Sequence, residues 1–410
     1  MRAVTRAADD ATRRLDLNDI ARGDGFLFVR DGVGFAGRGV AARVRFDDAP
    51  AALAAIERID ETGHNPGMNG GSPGGRGPIG LGWVPFQPGQ PGEVVIPRVI
   101  VAKGPGGDCW VTVIEGDGFD GADETLASPT PPVPAADSYT IDQVTPTSVY
   151  LAAVDTVRRA VRNKRIVKAV IAREIKVTSS CPFDRHGVLH RLKASFGSSY
   201  RFAIDGFFGA SPELLVAVDG RRVSSYPLAG TAPRAGDPTR DAEIANALIA
   251  STKNQVEHRA VIDMVHDTLL PWCSYLDWEP EPSIVTVANV QHLGTRLEGH
   301  LSSPPPNVTT LVRALTPTPA LGGYPGPEAL ALIAEVEGVE RDRYGGAVGW
   351  LDAEGNGAFA VAIRCAQLSE DGTVARLHAG GGIVADSDPL AELAETQAKF
   401  QAMLSALIRP

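Results

Sequence analysis

The sequence predicts an α/β or α+β protein built on a large sheet system. Three observations carry that expectation. Short runs rich in Val, Ile and Phe recur from the N-terminal third to residue 378. Segments of helical periodicity lie between them, mostly after residue 145. No Gly-x-Gly-x-x-Gly leads from a strand into a helix, which removes support for a dinucleotide fold.

In chain order, residues 25–29, 94–96 and 110–114 read as strands. A helix is expected to start at Thr147 or Ser148, because Tyr150, Ala153, Val154, Val157 and Val161 then fall on one face. Residues 166–173 form an unbroken apolar run interrupted only by Lys168 and closed by Arg173, the signature of a buried strand. Further strands are expected at 202–204, 214–218, 358–363 and 374–378, and helices at 241–252, 256–270, 327–335 and 389–407. Two stretches read as loops. The Gly-rich segment 63–80 lacks the Gly-Lys-Ser/Thr of a phosphate cradle and is expected to be a surface loop. The Pro-rich, acidic segment 116–137 reads as a linker or long crossover.

The chain has 410 residues, is 43% hydrophobic and 21% charged, and so can bury a core. Its net charge of −10 excludes nucleic acid as an expected partner. No stretch approaches the roughly 18 apolar residues of a membrane span, and the first 22 residues hold no apolar signal-peptide core. Four cysteines, Cys109, Cys181, Cys273 and Cys365, stand far apart without a Cys-x-x-Cys pair, which argues against both a zinc site and a disulfide framework. A cytoplasmic protein is expected.

Several residues can carry chemistry. Lys168 sits in an apolar strand, where a charge is costly unless paired or discharged. Either its stem is buried and its head reaches water, or it is a base. Glu213 stands beside the tight turn Ser211-Pro212 at a strand entrance. It is an ordinary turn-edge glutamate, or a desolvated carboxyl able to donate a proton. Glu257 is placed in the first turn of its helix, where the dipole alone explains an acid. Glu392 and Glu395 share a helix face; they form a solvated acidic face or a site for Mg²⁺, which takes oxygen ligands. Arg364, in an apolar run, needs an internal carboxylate or a ligand anion. Gly380, Gly381 and Gly382 are expected to turn after a strand and to let backbone N–H groups approach an anion. His292 has no triad spacing and reads as a structural hydrogen-bonder.

Taken in order, these motifs resemble the chorismate-utilising enzymes: isochorismate, salicylate and anthranilate synthases and aminodeoxychorismate (ADC) synthase. The resembling segments include Lys168 to Arg173, Phe208 to Glu213, Pro227 to Thr231, Glu257-His258, Gln291-His292-Leu293, Thr316 to Leu321, Asp342 to Trp350, Gly380 to Val384 and Pro389 to Thr396. They span about residues 145–407, with a fainter likeness at 82–97. Lysine at position 168 goes with water as nucleophile, and so with isochorismate or salicylate synthase. The segment Thr316 to Pro325 is similar to the isochorismate synthase version.

The resemblance implies a single chorismate-binding domain over 1–410, with two stacked antiparallel sheets flanked by outer helices. Residues 1–140 are the loosely matching sheet portion and 141–410 the catalytic portion. It implies an isomerase: Lys168 as general base, Glu213 as general acid, and Glu257 and Glu395 on Mg²⁺ with Glu392 behind them. Arg364, Tyr344 and the Gly380–Gly382 amides would bind the enolpyruvyl carboxylate of chorismate, and Gly230, Thr231 and His292 would line the ring pocket. No glutaminase subunit is expected, and a monomer is. The product would feed siderophore or menaquinone biosynthesis. Two residues depart from the pattern: Asn254 stands where relatives often carry an acid, and Thr316 where isochorismate synthases commonly have histidine.

Overall fold

In the computed structural model the described residues are 1–62, 76–116, 126, 134, 136–287 and 290–408. Two layers of strands face each other. One runs, neighbour to neighbour, through Tyr139–Gln143, Lys168–Ser179, Val374–Ile383, Cys365–Leu368, Phe207–Ser211, Tyr200–Ile204 and Phe26–Arg30. The other runs through Ile79–Val84, Ala347–Asp352, Gly357–Val361, Leu214–Asp219, Arg222–Tyr226, Leu297–Leu301 and Cys273–Trp278. All these pairings are antiparallel; among the described residues the parallel pair is Arg2–Ala7 with Glu57–Asp60.

Two long strands, Val33–Arg45 and Glu93–Lys103, belong to both layers. Their register shifts between Val40 and Ala42, opposite Pro97, beside Gly39 in the left-handed region (φ 63°). A bulge of this kind bends a strand. Its first half can therefore pair with Phe26–Arg30 while the partner's other half pairs with Ile79–Val84. The pairings thus join twenty strands into one network, and a separate three-stranded sheet holds Leu228–Pro233, Val290–Gly294 and Ser283–Thr286.

Between the layers the core is aromatic. Phe35 meets Trp350 at a centroid distance of 4.6 Å, and Phe46 meets Phe359 at 5.4 Å. A second cluster lies outside the first layer. There Leu189 and Leu192 of helix Arg185–Phe196 and Phe400, Met403 and Leu407 of helix Pro389–Ile408 pack with Ile175, Val177 and Leu377. With strand faces covered on both sides, the strand Lys168–Ser179 is buried along most of its length, which is why it reads as an apolar run.

The structure corrects four expectations. Arg364 does not lie in a strand: it sits between Gly357–Val361 and Cys365–Leu368 at φ 51°. Gly380 to Gly382 form no turn but lie inside the strand Val374–Ile383, opposite Ala172, Ile171 and Val170. Glu257 is not in a first turn, because the helix starts earlier, at Thr252, with Ser251 Oγ accepting from the Asn254 N–H; the dipole explanation for it therefore falls. Ile79 and Gly80, assigned to the first loop, open a strand. Residues 63–75 of that loop, and most of 116–137, lie outside the described residues.

Candidate active site

Every residue expected in the site except Gly381 lines one cavity of about 230 Å³. Lys168, first residue of its strand, enters beside the small sheet. Its Nζ donates to Glu257 Oε1 at 2.6 Å, and both side chains are largely buried. Glu257 comes from the second turn of helix Thr252–Leu269, whose adjoining face buries His258, Val261, Ile262 and Val265 in the protein. His258 Nε2 lies 2.8 Å from Thr295 Oγ1, and burial lowers its pKa to about 4, so it stays neutral.

The glycines of the Val374–Ile383 strand make room for charge. A Cβ on Gly382 would sit 2.6 Å from Lys168 Cε and 2.8 Å from Glu257 Oε1. One on Gly381, which does not itself line the cavity, would sit 2.6 Å from Glu392 Oε2. The absence of a Cβ at these positions permits this close approach of side chains.

Glu213 lies between two strands, after Pro212, and is 3% exposed. Burial raises its pKa to about 7, against the opposing pull of the Leu228 N–H and of the Lys168, Arg364 and Lys399 charges. A carboxyl so placed holds its proton up to neutral pH. The strand Leu228–Pro233 bulges between Ala229 and Thr231 at Gly230, whose φ of 76° only glycine adopts without strain. The bulge turns Gly230 and Thr231 toward the cavity.

His292 is held neutral: burial, then the charges of Arg364 and Lys399, lower its pKa to about 3. Its Nε2 lies 3.5 Å from Arg364 Nη2, and arginine can only donate, so Nε2 accepts. The proton is then on Nδ1, which donates to Thr231 Oγ1 at 3.1 Å. Tyr344 closes the wall, stacked on His378 at 5.3 Å, with its phenol pushed up to about 12 by burial. The left-handed backbone at Arg364 aims the guanidinium into the cavity, a conformation costing on the order of 1–3 kcal/mol that the fold sustains around its carbonyl's bond from the Ala210 N–H (3.0 Å).

Sequence reasoning missed Lys399. It lies seven residues after Glu392 and four after Glu395, on one face of helix Pro389–Ile408. Its Nζ donates to Glu395 Oε1 at 2.6 Å and to the Gly380 carbonyl at 2.7 Å, and it lines the cavity. The i, i+4 acid–lysine spacing was the available signal, and it reads equally well as an exposed helix pair.

Glu257, Glu392 and Glu395 thus bring carboxylates from two helices to one cavity, a donor set of hard oxygens that suits Mg²⁺. They are not gathered into a closed cluster. Among the described residues, the group with ligand atoms all within 4.8 Å is Asp19, His186 and His190, elsewhere in the molecule. Two of the three glutamates are each held by a lysine instead.

A two-layer antiparallel fold with a buried acid, a buried lysine and paired glutamates around one cavity defines a class, and the comparisons name it. Residues 120–408 match the model of the chorismate binding enzyme family, and the chain belongs to that family. The MenF protein of Mycobacterium tuberculosis (strain H37Rv) is 38% identical over 383 residues, covering 90% of this chain and 92% of its own. The isochorismate synthase EntC of Escherichia coli (strain K12) is 43% identical over 246 residues, 59% of this chain and 62% of EntC. In fold, the structure of MenF, the menaquinone-specific isochorismate synthase from Escherichia coli, aligns with a TM-score of 0.80. That alignment covers 99% of this chain and 94% of that one at 23% identity.

Proposed function

We propose that the chain is an isochorismate synthase, isomerising chorismate to isochorismate with Mg²⁺. The carrying observation is that one cavity holds both Lys168 and a Glu213 that keeps its proton up to about pH 7. Water is a poor nucleophile and hydroxide a poor leaving group, so the reaction needs a base at one ring carbon and an acid at another. Lys168 takes a proton from the water whose oxygen bonds to ring carbon 2. Glu213 gives its proton to the departing 4-hydroxyl, which leaves as water, and the ring double bonds shift between the two positions. A lysine acts as a base only as the neutral amine, and Glu257 Oε1, 2.6 Å away, holds the Lys168 amine in position.

Charge supports the metal. Counting Glu257, Glu392 and Glu395 as carboxylates against Lys168, Arg364 and Lys399, with Glu213 protonated, the wall is neutral. Chorismate brings two carboxylates, and Lys168 as a neutral base removes one positive charge, so a divalent cation offsets most of the negative charge in a desolvated site. Glu257 and Glu395 would hold it, with Glu392 behind, and when bound it neutralises the ring carboxylate. Arg364 and Tyr344 hold the enolpyruvyl carboxylate, while Gly230, Thr231 and His292 flank the ring. The residues that line the cavity all fall within 141–410, which supports reading 1–140 as the sheet portion of one catalytic unit. With water as nucleophile, no glutaminase partner is required, and we place the enzyme in the cytoplasm as a monomer.

Purified protein incubated with chorismate, with and without Mg²⁺, and resolved by liquid chromatography with mass detection tests this reading. A magnesium-dependent isomer of unchanged mass is expected. Salicylate with pyruvate would reassign the chain to the salicylate synthases, and unconsumed chorismate would leave it a binding protein on this fold.

A further inference from the structure

On the outer side of the first layer, the short helix Leu17–Ala21 meets helix Arg185–Phe196. His186 and His190, one turn apart, share a face of the second helix and point at Asp19 of the first. Asp19 Oδ1 lies 3.0 Å from His186 Nε2 and 2.7 Å from His190 Nε2, and the two Nε2 atoms lie 3.0 Å from each other.

No arrangement of protons makes all three edges of this triangle hydrogen bonds. Each ring nitrogen carries either a proton or a lone pair in the ring plane. If both Nε2 atoms are protonated, both can donate to Asp19 Oδ1, but the two donors are then crowded 3.0 Å apart on one oxygen. If one is protonated, its proton serves one edge, and the unprotonated nitrogen is left facing the carboxylate lone pairs or with no donor. If neither is, all three edges are lone pair against lone pair. A cation bonded to all three atoms satisfies every edge at once.

We propose that Asp19, His186 and His190 form a second metal site, for a divalent first-row transition ion of the kind imidazole prefers, such as Zn²⁺ or Ni²⁺. An ion about 2.1 Å from each donor would sit about 1.3 Å out of their plane, with angles between donors of about 80–90°. That is one face of an octahedron, and the remaining positions open to water. Spreading the donors by a few tenths of an ångström gives the tetrahedral geometry of Zn²⁺. The three side chains are half-buried and hence reachable from solvent. The elements bearing them are fixed independently. Lys193 pairs with Asp16 one turn along the same interface, Asn18 accepts from Arg201, and Arg191 donates to the Ala406 carbonyl. The bound ion would fasten the N-terminal helix to the sheet's outer helical layer. The site shares no residue with the cavity and stands whether or not the chorismate reading does.

The test is equilibrium dialysis against Zn²⁺ in excess Mg²⁺, with bound zinc counted by mass spectrometry on the intact chain. One ion per chain is expected. His190→Ala and Asp19→Asn should weaken binding by roughly 100-fold or more, since even loss of an outer-shell partner costs 10–100-fold. Cys181→Ser should bind as the parent does, and circular dichroism should show each variant folded. Electron paramagnetic resonance of the parent protein with one equivalent of Cu²⁺ should show two nitrogen ligands, a readout that needs no variant. Parental zinc affinity in His190→Ala, equal loss in Cys181→Ser, or a copper spectrum without nitrogen coupling would overturn the proposal.

Discussion

Two buried ion pairs flank the same strand and do different things. Glu337 and Arg341 lie against Val170 and Ala172 in the first half of Lys168–Ser179, each 2% exposed at the side chain. Arg341 Nε donates to Glu337 Oε1 at 2.6 Å, and its other nitrogens donate to Glu337 Oε2 and to the carbonyls of Leu321 and Val170. Glu337 Oε2 also accepts from the Ala172 N–H at 2.9 Å, and the guanidinium covers the Phe86 ring at 4.1 Å. Lys168 and Glu257, at the head of that strand, are almost as buried, but the lysine ends in a cavity wall. The difference teaches that burial of charge does not by itself mark chemistry. A pair whose hydrogen-bonding capacity is met by backbone on every side is scaffolding. A pair that ends in a cavity wall can exchange its partner for a substrate or a proton.

The largest expected effect breaks the cavity side of the comparison. Lys168→Ala and Glu213→Gln should each lower kcat about 10²–10⁴-fold while chorismate still binds, the range for a lost acid or base; steady-state kinetics and a binding titration check both. Because Glu213 must be protonated to act, the parent's kcat should fall as pH rises through about 7, and a flat profile there would remove it as the acid. On the scaffold side, Glu337→Ala should cost about 3–5 kcal/mol in a denaturant melt, because it strands a buried guanidinium. Its kcat per folded molecule should change little.

Smaller effects sharpen the contrast. Gly382→Ala should leave folding near normal and lower kcat by roughly 10²-fold, as expected when reacting groups are displaced by about an ångström. The smallest is a stability gain. Glu213 has a folded pKa above the ordinary 4.5, so between pH 4.5 and 7 the native chain holds a proton that the unfolded chain has shed. Stability attributable to this group therefore falls as pH rises through that window. Glu213→Gln should accordingly be more stable than the parent at pH 8, by on the order of 3 kcal/mol, with little difference near pH 4.5. Equal melts at both pH values would show that the carboxyl is not desolvated.

Much of this was legible in the chain. The apolar run around Lys168 announced a strand covered on both sides, the helix Thr147–Arg162 was placed correctly at its start, and Pro389–Ile408 was found within a residue of its ends. The candidate site was legible through the ordered motifs more than through any one residue: from spacing alone, Glu213 and Glu395 were unremarkable acids. Arg364 and Gly380 to Gly382 were misplaced because apolar runs and glycine clusters carry no record of where a ladder breaks. Lys399, Arg341 and the Asp19–His186–His190 triangle were missed because their partners lie elsewhere in the chain or, at i+4, look like surface pairs.

The sequence by itself determined which segments become strands and helices, since side-chain periodicity and turn residues act over a few neighbours. It also determined which side chains are available as acid, base and oxygen ligands. Only the tertiary structure decided that Glu213 keeps its proton, that Lys168 meets Glu257, and that two histidines meet an aspartate from 167 and 171 residues away. Desolvation and ion pairing depend on distance and on what excludes water, and those quantities exist only once remote segments have packed together.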